Sequence, residues 1–184
     1  MNIALLCGSL RKDSYSRKVA NFLIAEGARL ELTIKGVEIA DLDLYNEDLE
    51  TPTFPSTWGI FRQQMKKVDA FLFVTPEYNR SLPAALKNAL DVGSRPWDES
   101  VWNGKPGGIV SLSQGNIGGF GANHHLRQIL TCLNVPMMAQ PETYLSCIQD
   151  CFDETSDCLK QSTRDFLINF LQDFATWVTK NQPG

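Results

Sequence analysis

Common ligand-binding motifs are missing from this chain of 184 residues. No G-x-G-x-x-G follows the first apolar run and no Walker lysine motif occurs, so dinucleotide-fold and P-loop readings lose support. Cysteine is sparse, at five residues, an odd number with no C-x-x-C pair. A disulfide framework is therefore not expected in a domain of this size. Cys147, Cys151 and Cys158 lie close together, but their spacing matches no zinc pattern and no histidine follows them, so no metal is assigned. Cys7 and Cys132 sit in apolar runs and read as core residues. The two histidines, His124 and His125, are adjacent. Neighbours on a helix point in different directions, so the pair does not chelate one ion.

Charge is modest too. Seventeen Lys and Arg stand against 21 Asp and Glu, for a net charge of -4. A nucleic-acid surface needs a basic face, and here Arg11-Lys12 and Lys66-Lys67 are isolated pairs. No apolar run approaches the length of a membrane span. The apolar stretch after Asn2 is short and lacks a preceding positive region, which makes it a poor signal peptide and a good first strand. The expected location is cytoplasmic.

What is present is alternation. Short β-like runs at residues 3–7, 32–39, 70–74, 108–112 and about 135–138 are interleaved with helix-like runs at 14–26, 56–67, 82–92, 122–133 and 162–180. That order predicts an α/β fold over residues 1–184 as one domain. It is a doubly wound, five-stranded parallel sheet of flavodoxin-like order 2-1-3-4-5, with helices on both faces. Phe166, Phe170, Phe174 and Trp177 recur at helical spacing and read as a stripe packed on the sheet. Two polar stretches, 43–55 and 95–106, read as loops. The first is placed to rim a pocket. Trp97 and Trp102 in the second either pack on their own domain or serve a partner subunit or an electron acceptor.

Three of the predicted loops follow strands one, three and four, and ligands of open α/β sheets sit at that carboxyl edge. The first, Gly8-Ser9-Leu10-Arg11-Lys12-Asp13-Ser14-Tyr15-Ser16, leads into a helix. Orphan N–H groups and the helix dipole favour a phosphate there. Ser9, Ser14 and Ser16 add hydroxyls and Arg11 a planar cation; the plainer reading makes Ser14 a helix cap. The second, Pro76-Glu77-Tyr78-Asn79, offers backbone donors and one aromatic ring. The third, from Ser113 to Gly121, holds four glycines that permit close backbone approach; Ser113 and the Gly115 amide are its candidate donors. Together they suggest one pocket for a flat, phosphorylated cofactor.

These residues resemble a known family. Gly8-Ser9-Leu10-Arg11 through Ser16, the Pro76-Glu77-Tyr78-Asn79 turn with Leu86-Lys87-Asn88-Ala89 after it, and Gly118-Gly119 with His125-Leu126-Arg127-Gln128 are similar to the NADPH-dependent FMN reductases, which include quinone, chromate and azo-dye reductases. The resemblance implies FMN as cofactor and NADPH or NADH as reductant. It implies Ser9, Arg11, Ser14 and Ser16 on the phosphate side, and Pro76, Glu77, Tyr78, Asn79 and Ser113 on the ring side. The flavin then carries the chemistry and no catalytic side chain is expected. The acceptor is a small molecule such as a quinone or a flavin, reduced in a ping-pong cycle. The resemblance further implies a homodimer or homotetramer, with Glu77 and Arg127 as candidate contacts. The competing reading is an FMN electron carrier or redox sensor without nicotinamide turnover.

Overall fold

A strand covered on both faces needs a nearly continuous apolar run, and Ala70-Phe71-Leu72-Phe73-Val74 supplies one. The computed structural model describes residues 1–153 and 158–182. In it the strands are β1 (Asn2–Cys7), β2 (Thr33–Val37), β3 (Ala70–Pro76), β4 (Gly107–Leu112) and β5 (Tyr144–Leu145). They form one sheet in the order β2-β1-β3-β4-β5, with every pairing parallel. The helices between them are α1 (Tyr15–Arg29), α2 (Ser56–Lys66), α3 (Ala84–Gly93), α4 (Phe120–Cys132) and α5 (Gln161–Lys180).

The two-residue period of a strand divides the core. Ile3, Leu5 and Cys7 of β1 and Ala70, Leu72 and Val74 of β3 pack with Val19 and Leu23 of α1 and Phe170 and Phe174 of α5. Ala4, Leu6, Phe71 and Phe73 point the other way, onto Trp58 and Phe61 of α2, Leu90 of α3 and Leu126 of α4. A register slip of one residue would exchange these two sets, so the ladder is strongly specified. The expected fold class is the observed one.

Several details differ from the sequence reading. The stretch 135–138 begins the edge strand but does not complete it. Gly107 donates to the Pro136 carbonyl at 3.0 Å and Met138 donates to Gly107 at 2.8 Å. The chain then leaves the sheet and returns as β5, where Tyr144 and Leu145 pair with Ser111 and Leu112. Pro136 precedes that gap and Pro141 lies within it, and neither has an N–H to give to a ladder. Cys132 is exposed rather than a core filler, whereas Cys7 is buried. Burial raises the Cys7 thiol pKa above its ordinary value, so the group stays protonated. In α5, Phe170 and Phe174 are buried but Phe166 faces outward; Trp177 is half-buried, its Nε1–H on the Pro136 carbonyl at 3.0 Å. The two tryptophans of the 95–106 loop divide. Trp102 is a core residue donating to Leu90 O at 2.9 Å, and Trp97 is 75% exposed.

The 43–55 stretch is held by two buried polar side chains. Asn88 accepts from the Tyr45 N–H at 2.8 Å and donates to the Asp43 carbonyl at 3.1 Å. Arg62 makes two parallel 2.8 Å bonds to the Glu50 carboxylate and donates to the Val92 carbonyl at 2.9 Å. Its guanidinium also lies over Phe54 and Trp58. Removing one partner strands the other charge in a largely desolvated site, so Arg62→Ala is expected to lower the unfolding free energy by about 3 kcal/mol. Urea denaturation checks this; a loss below about 1 kcal/mol, the range of an exposed pair, would contradict it.

Candidate functional site

Three loops leave the carboxyl ends of β1, β3 and β4 and pack on one another. The Gly8 N–H donates to the Val74 carbonyl at 2.8 Å. A Cβ on Gly8 would lie 3.1 Å from Thr75 Oγ1 and 3.3 Å from Pro83 Cγ. Glycine at this position lets the first loop press against the second.

In the first loop, Ser14 is the N-cap of α1, with its Oγ accepting from the Arg17 N–H at 3.1 Å. Its hydroxyl is therefore engaged in starting the helix. The hydroxyls of Ser9 and Ser16 are different. Both residues are buried, and neither side chain has a hydrogen-bond partner among the described residues. The N–H groups of residues 9–13 likewise donate to nothing among the described residues, and those of Tyr15 and Ser16 lie in the first helical turn, where no intrahelical acceptor exists. Arg11, Lys12 and Asp13 are exposed. The loop thus presents a set of unpaired donors at a helix N-terminus, which suits a phosphate.

The second loop turns back on itself at once. Tyr78 and Ser81 exchange two backbone hydrogen bonds of 2.9 and 3.0 Å, and Asn79 and Arg80 between them have φ of 51° and 66°. This is a two-residue turn with both central residues left-handed. The N–H groups of Glu77 and Asn79 have no partner among the described residues. Tyr78 is exposed. The Glu77 side chain turns away from the edge, accepting from the Ala122 N–H at 3.2 Å.

The third loop closes the site. Gly118 and Gly119 have φ of 56° and 76°. A Cβ on Gly118 would fall 2.7 Å from the Tyr144 carbonyl carbon, so β5 and the loop meet backbone to backbone. Ser111 Oγ donates to the Gly118 carbonyl at 2.9 Å and accepts from Asn123 Nδ2 at 3.1 Å. Arg127 donates from Nε to Asn123 Oδ1 at 2.9 Å and from Nη1 to the Met138 carbonyl at 3.0 Å. The Ser113 hydroxyl donates within its own loop to the Gly115 carbonyl at 3.2 Å. The Gly115 N–H has no partner among the described residues, and a Cβ there would meet only Ser113 Oγ, at 3.9 Å. Phe120, His124 and Tyr144 flank this loop as an aromatic cluster, with His124 Nε2 3.0 Å from the Tyr144 hydroxyl. Burial and the neighbouring Glu142 push the Tyr144 phenol pKa up.

The residues singled out for the cofactor thus lie on the three loops, at the end of β3 or at the helix start that follows. Their roles divide. Ser9, Ser16 and Arg11 have side-chain polar groups without partners among the described residues; Ser14, Ser113 and the Glu77 carboxylate are engaged by the protein. Glu77 and Arg127, the candidates for subunit contacts, both direct their side chains into their own chain. Ser111 and Asn123 were missed. The signal was there for Ser111, a lone hydroxyl in the apolar run Gly107-Gly108-Ile109-Val110-Ser111-Leu112. The residues present fit FMN: unpaired hydroxyls and amides for its phosphate, unpaired amides on two further loops for the polar edge of a ring. A concavity of about 1040 Å³ lies elsewhere, between α3 and α4, lined in part by Ser81, Trp97, His125 and Cys132.

Comparison with known proteins points to a family and a fold. The family description matching residues 1–150 is NADPH-dependent FMN reductase. A quinone reductase of Pseudomonas putida is 52% identical over 181 residues, covering 98% of this chain and 96% of that protein. A 2-hydroxy-1,4-benzoquinone reductase of a Burkholderia species is 42% identical over 178 residues, covering 97% and 96%. Among solved structures, a flavoenzyme NAD(P)H:(acceptor) oxidoreductase from Paracoccus denitrificans superposes with a TM-score of 0.89 at 33% identity, covering 99% of both chains.

The two first-loop serines separate cleanly in an experiment. Ser14→Ala is expected to lower apo-protein stability by about 1 kcal/mol, the cost of a lost cap. Ser16→Ala is expected to leave apo stability within about 0.5 kcal/mol and to weaken FMN binding by roughly tenfold or more, as loss of a bond to a charged group would. Urea denaturation and quenching of flavin fluorescence measure the two. Equal effects of both variants on FMN with no stability difference would contradict the assignment.

Proposed function

The chain belongs to the NADPH-dependent FMN reductase family, and on that footing we propose which of its groups hold FMN and where its substrates meet. It is an FMN-dependent NAD(P)H oxidoreductase whose acceptors are quinones. Bound FMN would supply the redox chemistry between nicotinamide and acceptor. The protein contributes binding, orientation and electrostatics.

The first loop would hold the phosphate: the free N–H groups of residues 10–13, Tyr15 and Ser16 and the Ser9 and Ser16 hydroxyls would donate to it, with Arg11 as the cation. Ser14 acts indirectly by capping α1 and so setting the direction of those amides. The second and third loops would hold the ring between them. The N–H groups of Glu77, Asn79 and Gly115 are its fixed donors, and Pro76 sets the path of the chain toward them. Donors held by the fold cost no reorganisation when negative charge grows on the ring. Tyr78, exposed beside them, offers an aromatic face to nicotinamide or quinone. No protein acid or base is assigned. The observation that carries this reading is the convergence of unpaired backbone and hydroxyl donors on three loops at one sheet edge.

The unit of function is residues 1–184 as one domain, assembled as a homodimer or homotetramer. Trp97, 75% exposed, and the concavity between α3 and α4 support that assembly, since a large exposed aromatic beside a groove marks an interaction face. Among the described residues no helix is long and apolar enough to cross a membrane.

Protein reconstituted with FMN is expected to oxidise NADPH or NADH steadily in the presence of a quinone, with parallel double-reciprocal plots. Flavin binding without nicotinamide oxidation would instead favour an electron carrier. Light scattering is expected to report a dimer or tetramer, shifted toward monomer by Trp97→Ser; a monomeric wild-type protein would overturn the assembly.

A further inference from the structure

We propose that Glu77 is a positioning residue, whose carboxylate clamps the second loop to the start of α4 and thereby holds the two ring-side loops in one fixed relation. This rests on the assignment of those loops to the FMN ring.

The clamp begins with a deficiency in α4. Its N-cap is Gly119, which has no side chain to accept from the first-turn amides. Helices leave those amides orphaned, and a polar side chain normally supplies the acceptor. Here the acceptor comes from another loop. Glu77 Oε2 takes the Ala122 N–H at 3.2 Å, across 45 residues of sequence. Ala122 is three positions past the cap, where an N-cap Ser or Asp side chain would bond. The negative charge also lies at the positive end of the helix dipole.

Burial shows that the carboxylate belongs to this contact rather than to solvent. The Glu77 side chain is 10% exposed, whereas that of Arg80, three residues on, is 76% exposed. The Glu77–Arg80 pair is loose, at 3.4 Å, and adds little at such exposure. The tight element is steric. A Cβ on Gly121 would lie 2.8 Å from the Arg80 carbonyl oxygen and 3.0 Å from Glu77 Oε2. The loop and helix therefore approach as closely as a glycine allows.

A second tie lies on the same helix face. His125 Nδ1 is 3.0 Å from Ser81 Oγ, and residues three apart on a helix are neighbours. Glu77 with Ala122 and Ser81 with His125 thus grip both ends of the short turn that carries Asn79. Between the grips, the amides of Glu77 and Asn79 remain unpaired among the described residues. The Glu77 side chain fixes where its own N–H and that of Asn79, two residues on, point.

The test compares Glu77→Ala with Glu77→Gln, since the amide keeps an acceptor oxygen and loses only the charge. In apo-protein, exchange of the Ala122 amide is expected to quicken in the alanine variant and to stay near wild type in the glutamine variant. The FMN dissociation constant is expected to rise about tenfold in Glu77→Ala, the scale of a lost cap, and less than about threefold in Glu77→Gln. Equal FMN affinity for wild type and Glu77→Ala would overturn the proposal, as would a glutamine variant as impaired as the alanine one. If wild-type protein fails to bind FMN, the assignment of the loops to the flavin falls. Unchanged Ala122 exchange in apo Glu77→Ala would sink the clamp by itself.

Discussion

The register of the three central parallel strands is the constraint on which the site depends. Cys7 pairs with Val74, Val74 with Val110, and Pro76 with Leu112, so β1, β3 and β4 end nearly level. Adjacent strands lie about 4.8 Å apart, and their loops therefore emerge within reach of one another. The register cannot drift, because both faces of these strands are buried and a one-residue slip would turn Phe71 and Phe73 into the α1–α5 side of the core. Core packing far from the loops thus decides where their free donors stand.

A second layer of polar contacts then sets each loop. Ser14 starts α1, Glu77 caps α4, and the Ser111–Asn123–Arg127 chain, buried at Ser111 and Asn123, anchors the glycine turn at Gly118. These side chains satisfy protein groups and leave backbone amides free. A site whose donors are already ordered loses less entropy on binding. The same contacts engage the side chains of Ser14, Ser113 and Glu77 within the protein.

The architecture was legible because it rests on patterns that survive without tertiary knowledge. Apolar runs of strand length alternate with helical periodicity, and the loops after strands one, three and four carry serines, a proline turn and clustered glycines. What was not legible depended on long-range partners. Residues 135–138 are as apolar as a strand, yet the edge pairing passes to Tyr144–Leu145, a run too short to stand out. Cys132 and Phe166 fit their helical stripes by type but lie at the margins of the buried face. Trp97 and Trp102 share one loop and part company only because Trp102 finds Phe71, with centroids 4.7 Å apart, and an acceptor at Leu90. Glu77 was recognised by motif, but its carboxylate could be placed only once α4 was seen to lack a cap of its own.

The central claim is that one bound FMN engages all three loops together. Amide hydrogen exchange, with and without stoichiometric FMN, tests it most directly. The account predicts slowed exchange at residues 10–13, at Glu77 and Asn79, and at Gly115, rising in parallel and saturating at one flavin per chain. Protection confined to a single loop, or appearing instead along the groove between α3 and α4, would contradict it.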